Sequence, residues 1–223
     1  MTMLTALGDT VTRLHDTTLA TAGGPPVVAP AQGADDNREA LLWHWIGTND
    51  FYNSSLWAEE DLARRTTVSD SEIALNKRAI DKFNQARNDA TERVDEILLT
   101  ELGLVDAASA QTDAPVSKVP AGARLNSETA GSIIDRMSIM ALKIHAMKAQ
   151  TQRTDVDQAH RDSSQVKLDK LLQQRGDLAS CLDALIADTQ AGRAYFKVYR
   201  QFKMYNDPRF NPALVAEQAK ARG

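Results

Sequence analysis

The chain has 223 residues with 26 Lys and Arg against 30 Asp and Glu, a formal net charge of −4. That length supports one sizeable core, and the slight acidity gives no global reason to expect nucleic acid, so any anion site has to be local. A single cysteine, Cys181, excludes an intrachain disulfide; with no basic-then-apolar leader and no apolar run long enough to span a bilayer, the expectation is a reduced, cytoplasmic protein.

Aromatic residues make up only 5% of the chain, and Ala, Leu, Asp, Arg and Lys are abundant. Few stretches alternate as a strand would, so the expected fold class is all-α. In chain order, Met3 to Ala20 is predicted as an amphipathic helix carrying Leu4, Leu7, Val11, Leu14 and Leu19. Gly23-Gly24-Pro25-Pro26 ends it, and the nearly uncharged stretch from Ala22 to Gly33 reads as a linker. From Asp36, a candidate N-cap, two short helices are predicted, broken around Gly47 to Ser54. A long helix follows over Ser69 to Leu102, with Ile73, Ile80, Phe83, Ala90, Val94 and Ile97 on one face and Gly103 at its end.

Val105 to Arg124, with Pro115, Pro120 and Gly122, reads as a long loop. The next helix opens near Asn126-Ser127, either residue serving as cap, and its Ile133, Met137, Met140, Ile144 and Met147 stripe predicts a central position. A last helical stretch from Asp155 to Tyr205 has weak points at Gly176 and Gly192, and Pro208 and Pro212 end it. The expected organisation is a helix and linker over 1–35, a bundle over 36–212 and a tail over 213–223. An elongated antiparallel helical bundle with short flanking helices is the packing this predicts.

Several polar residues interrupt apolar stripes. Arg87 falls at the centre of the long helix's apolar face, and Asp135, Arg136 and Lys143 interrupt the central helix. A cation there needs a partner, since an unpaired buried guanidinium is very costly. One reading is a structural ion pair of Arg87 with Asp135 or Glu128. The other is a ligand cleft lined by Glu60, Asp61, Arg64, Arg87, Asp135, Arg136 and Lys143, with cations for phosphate and carboxylates for hydroxyls or a metal. Near the C-terminus Arg193, Lys197, Arg200 and Lys203 follow at spacings of four, three and three, which on a helix gives one basic face opposite Tyr195, Val198, Tyr199, Phe202 and Tyr205. This face reads first as amphipathic packing and second as a phosphate clamp. No nucleotide-binding or hydrolase fingerprint is present, no metal site is expected, and the residues specify no cofactor.

The blocks "LWAEEDLARR", "IALNKRAIDKFNQARNDATERVDEIL", "NSETAGSIIDRMSIMALKIHAM" and "KVYRQFKMYNDPRFNP" resemble a helical bacterial family known as domain-of-unknown-function family 4254. The resemblance covers about Asn49 to Pro212. It departs at Ala58, where the family pattern carries a His after the Trp. Such proteins are often encoded beside glycosyltransferases of surface-polysaccharide assembly, so the resemblance implies a role in cell-envelope glycan synthesis and no established reaction.

Combined with the residues, the resemblance implies a cleft for an anionic sugar compound, either a nucleotide-sugar or a lipid-linked saccharide phosphate. Its expected binding residues are Trp57, Glu60, Arg64, Asn84, Arg87, Asn88, Glu128, Arg136, Lys143, Arg200, Lys203, Tyr205 and Asn206. Asp61 and Asp135 are the candidate catalytic carboxylates should a glycosyl group be transferred. The competing expectation is a non-catalytic partner or scaffold for a glycosyltransferase, the polar layer being purely structural. Self-association and peripheral membrane contact are left open.

Overall fold

A computed structural model describes residues 4–21, 37–201, 204 and 207–222. Helix formation follows local signals at most ends. Helix α1 spans Leu7–Ala20, and α2 spans Arg38–Leu62, opened by Asn37, whose side chain accepts from the Ala40 N–H. Helix α3 spans Asp70–Glu101 behind a capping box in which Ser69 and Glu72 satisfy each other's backbone N–H groups. The short α4 (Ala107–Ala110) lies in the following loop. Thr129, and neither Asn126 nor Ser127, caps α5 (Ala130–Thr151) by accepting from Ser132 N–H. Asp157 caps α6 (Gln158–Gln190).

The four long helices have 25, 32, 22 and 33 residues, lengths of roughly 33 to 50 Å at 1.5 Å per residue. Tight connections fold α2 against α3 and α5 against α6 as two helical hairpins, and α5 also packs on α2 and α3. The result is an all-α helical bundle. Its core joins Leu42 and Ile46 of α2, Val94, Leu98 and Leu99 of α3, Ile133, Ile134 and Met137 of α5, and Leu182, Leu185 and Ile186 of α6. Helix α1 contributes Leu7 and Val11 to the same core. Among the described residues no helix is long and apolar enough to cross a membrane.

Three expectations about helices are corrected. Gly47 to Ser54 is no break: α2 is continuous through it, because Thr48, Asn49, Asp50 and Asn53 are buried against the neighbouring helices and tertiary contacts override their weak helix propensity. Pro212 does not end a helix but begins one, α7 (Pro212–Arg222), where its missing N–H costs nothing; Asn211 Oδ1 accepts from the Ala213 and Leu214 N–H groups. The basic stripe is not helical over its described part, Arg193 to Arg200. Gly192, with φ +70°, ends α6 in a left-handed conformation, and its N–H and that of Arg193 bond back to Thr189 and Asp188 carbonyls.

From Arg193 to Gln201 the chain leaves the helix and includes a short strand. Ala194–Tyr195 (β2) pairs in parallel with Arg124–Leu125 (β1), which ties the segment after α6 to the segment before α5. Ala194 and Phe196 are buried, Phe196 completely, so alternation replaces helical spacing as the packing rule here. Arg200 folds back onto α3: its Nη1 donates to Glu92 (2.9 Å) and Glu96 (2.5 Å), and its Nη2 to the carbonyls of Ala110 (2.8 Å) and Thr112 (2.9 Å). Desolvation opposes its charge and the two carboxylates outweigh that, so its pKa is raised. Arg200 thus straps the C-terminal segment and the α4 loop to α3. Arg200→Ala is expected to cost about 2–4 kcal/mol in urea unfolding, because Glu96 is buried and the two carbonyls lose their donor.

Candidate functional site

The stripe Leu42, Ile46, Asn49, Asn53, Leu56 recurs at steps of four, three, four and three along α2. Its middle is polar, and it faces polar residues on both neighbours. Asn49 Nδ2 donates to Asp135 Oδ1 on α5 (2.8 Å) and to Thr91 Oγ1 on α3 (3.1 Å). Asn53 Nδ2 donates to the same Asp135 oxygen (2.9 Å) and to Asn49 Oδ1 (3.1 Å). Arg87 Nε lies 3.8 Å from Asp135 Oδ1, and its Nη2 donates to Asn88 Oδ1 (3.1 Å). The pairing of Arg87 with Asp135, one of the two partners expected from sequence, is therefore present; Glu128 instead pairs with Arg136.

A cleft of about 450 Å³ opens beside this layer. Its polar lining is Asn53, Trp57, Glu60, Asp61, Arg64, Asn84 and Arg87, and its apolar lining is Leu56, Ile139 and Leu142. Six residues expected from sequence thus meet in one place. The helical register explains most of it: Asn53, Trp57 and Glu60 step along α2 by four and three, Arg64 follows in the turn just past the end of α2, and Asn84 and Arg87 lie one turn apart on α3. Glu60 Oε2 accepts from Arg64 Nη1 at 3.0 Å at the exposed rim. Deeper in, the Arg87 side chain is 25% and Asp135 17% exposed, so solvent screens this pair less than a rim pair.

The remaining expected residues lie elsewhere. Glu128, Arg136 and Lys143 line a second cleft of about 590 Å³ with Gln174, Asp177 and Cys181 of α6, so the single cleft expected from sequence is divided between two flanks of α5. Asn88 is buried and donates to Gln201 Oε1 (2.8 Å), and Arg200 is engaged with α3 as described above. Lys203, Tyr205 and Asn206 lie outside the described residues. Among the described residues no three His, Cys, Asp or Glu side chains gather as a metal site.

Sequence reading missed Asn49, Asn53, Asp50 and Asp95. The signal for the first two was their spacing of four in register with Leu42, Ile46 and Leu56. Asp50 is fully buried; Ser138 Oγ (2.7 Å) and Thr18 Oγ1 (2.7 Å) donate to its two oxygens. Asp95 is buried on α3 and accepts the Gly131 N–H at 2.7 Å. Burial raises the Asp95 carboxyl to about 7, against the opposing bonds from Thr129 and Gly131. The native state therefore keeps a proton that the unfolded chain gives up above about pH 4. This contribution is fully present below that pH and is lost as pH rises through about 7. Asp95→Asn, which keeps the acceptor oxygen, is expected to flatten the fall in melting temperature between pH 5 and 8.

Neither a curated protein nor a solved structure matches the chain. A family model does, over residues 43–198, most of the chain and all of the α2–α3–α5 cleft. The chain therefore belongs to the family described as "Protein of unknown function (DUF4254)".

Proposed function

We propose that the α2–α3–α5 cleft binds an anionic sugar compound, a nucleotide-sugar or a lipid-linked saccharide phosphate, and that the protein serves cell-envelope glycan assembly in the cytoplasm. The observation that carries this reading is the company Arg87 keeps. A half-buried guanidinium at the base of a cleft faces a space shared with an indole, an unengaged amide and two carboxylates. Arg87, joined by Arg64 when it leaves Glu60, suits phosphate oxygens. Asp61 and Asn84, which hold no side-chain partner among the described residues, suit sugar hydroxyls, and Trp57 offers a ring face for stacking.

Should a glycosyl group be transferred, Asp61 is the better base. Asp135 Oδ1 already accepts two amide bonds, whereas Asp61 lines the cleft unengaged. The second reading, a non-catalytic partner of a glycosyltransferase, draws on that same saturation of Asp135, which suits a layer fixing helix register.

A thermal-shift screen separates the two. Nucleotide-sugars, sugar phosphates and polyprenyl phosphates, with and without Mg²⁺, are tested on the native protein and on Asn84→Ala, which removes a cleft amide that holds no hydrogen bond among the described residues. Binding to the native state raises the melting temperature, by about 2.7 kcal/mol of stabilisation at a hundredfold excess over Kd. The proposal expects one class to do so and the response to weaken in Asn84→Ala. No response from any class, with co-purification of a glycosyltransferase, would favour the partner reading.

A further inference from the structure

Helix α1 lies outside the residues matched by the family model, yet it closes over the layer next to the cleft. It docks through Leu7 and Val11 in the core and, alongside them, through a set of polar contacts. Gly8 N–H donates to Asp183 Oδ1 of α6 (2.9 Å), Arg175 of α6 grips Asp16 with both terminal nitrogens (2.5 and 3.2 Å), and Thr18 Oγ1 donates to Asp50 of α2. Among them sits His15, wholly buried, with neither ring nitrogen hydrogen-bonded and its Nε2 3.9 Å from Asp50 Oδ1. An imidazole with two unmet polar atoms is a costly choice for a helix interface, and a leucine would pack there without that cost. What imidazole adds is a charge that can switch on near neutral pH.

We infer that α1 is a proton-released latch: with His15 uncharged it closes over Asp50 and Ser138, and with His15 protonated it lets go. The groups facing His15 are Asp16 on its own helix, Asp50 on α2, Asp135 on α5 and Arg175 on α6. Burial lowers the His15 pKa below 6.5, with Asp50 opposing and Arg175 assisting. Release exposes the ring and restores its ordinary affinity for a proton. The sign follows: docking is complete above about pH 6.5 and weakens as pH falls. Released α1 would withdraw Thr18 from Asp50. Asp50 adjoins Asn49 and holds Ser138, one turn from Asp135, so release reaches the residues that orient Asp135 beside the cleft. This last link rests on the reading of the cleft given above; the latch itself does not.

Native-state hydrogen exchange by NMR, corrected for intrinsic rates, tests both parts on the full chain between pH 7.5 and 5.5. Protection of the α1 amides, relative to those of α6, is expected to fall about tenfold, the limit for one proton over one pH unit. The His15 ring should titrate below 6.5, the Asn49 and Asn53 side-chain amides should shift with it, and His15→Gln should hold protection constant. Unchanged α1 protection in the native protein, or a fall that persists in His15→Gln, overturns the latch. A fall in protection with the Asn49 and Asn53 amides unmoved overturns the link to the cleft while leaving ligand binding there untouched.

Discussion

Gly131→Ala is expected to destabilise the protein by about 3 kcal/mol, read as a lower urea midpoint at unchanged slope. Helices α3 and α5 touch backbone to backbone at this point. An added Cβ would lie 2.6 Å from the Thr91 carbonyl oxygen and 2.9 Å from Asp95 Oδ1. Neither can retreat cheaply: the carbonyl belongs to the interior of α3, and Asp95 is buried and bonded to the same Gly131 N–H. The strain also reaches the cleft. Gly131 and Asp135 are one turn apart on α5, as Thr91 and Arg87 are on α3, so pushing the helices apart separates the Arg87–Asp135 pair. A variant as stable as the native chain would contradict the close α3–α5 approach.

Asp135→Ala is expected to cost about 3 kcal/mol. It strips the acceptor from two amides, Asn49 and Asn53, and leaves Arg87 a half-buried cation without its carboxylate. Asp135→Asn, which keeps one acceptor oxygen, should cost less than half as much. The pair of variants is read by thermal and urea unfolding; equal losses would mean that the carboxylate's charge beside Arg87, and neither its volume nor its acceptor oxygen, sets the energy of the layer.

The helices themselves were legible because their information is local. Ser69 with Glu72, the 3.6-residue stripes of α3 and α5, and Gly103 after α3 all act within a few residues. What failed was long-range. Gly47-Thr48-Asn49-Asp50 has the composition of a turn, and only the neighbouring α3 and α5, with Thr91, Asp135 and Ser138, make it a buried helical segment. The stretch from Arg193 to Arg200 has helical charge spacing, yet Gly192 and the pairing with Arg124–Leu125 impose an extended path, so its cations do not share a helical face.

The site was legible in part for the same reason. Trp57, Glu60 and Asp61 share one helix flank, with Arg64 in the turn that follows, and Asn84 with Arg87 share another, so local sequence alone groups them. Assigning Arg136 and Lys143 to the same cleft required knowing which flank of α5 meets α6, and no local rule supplies that. His15 gave no sequence signal, since its meaning lies in Asp50 and Arg175, residues far away in the chain.

The most direct test of the central claim is an NMR titration of the isotope-labelled native protein with a nucleotide-sugar, a sugar phosphate and a soluble polyprenyl phosphate in turn. It follows the indole N–H of Trp57 and the side-chain amides of Asn53 and Asn84. Binding in the α2–α3–α5 cleft predicts saturable shifts at all three for one ligand class, with Trp43 and Trp45 unmoved. Shifts confined to Arg136, Lys143 and Gln174 in the second cleft, or none with any class, would contradict it.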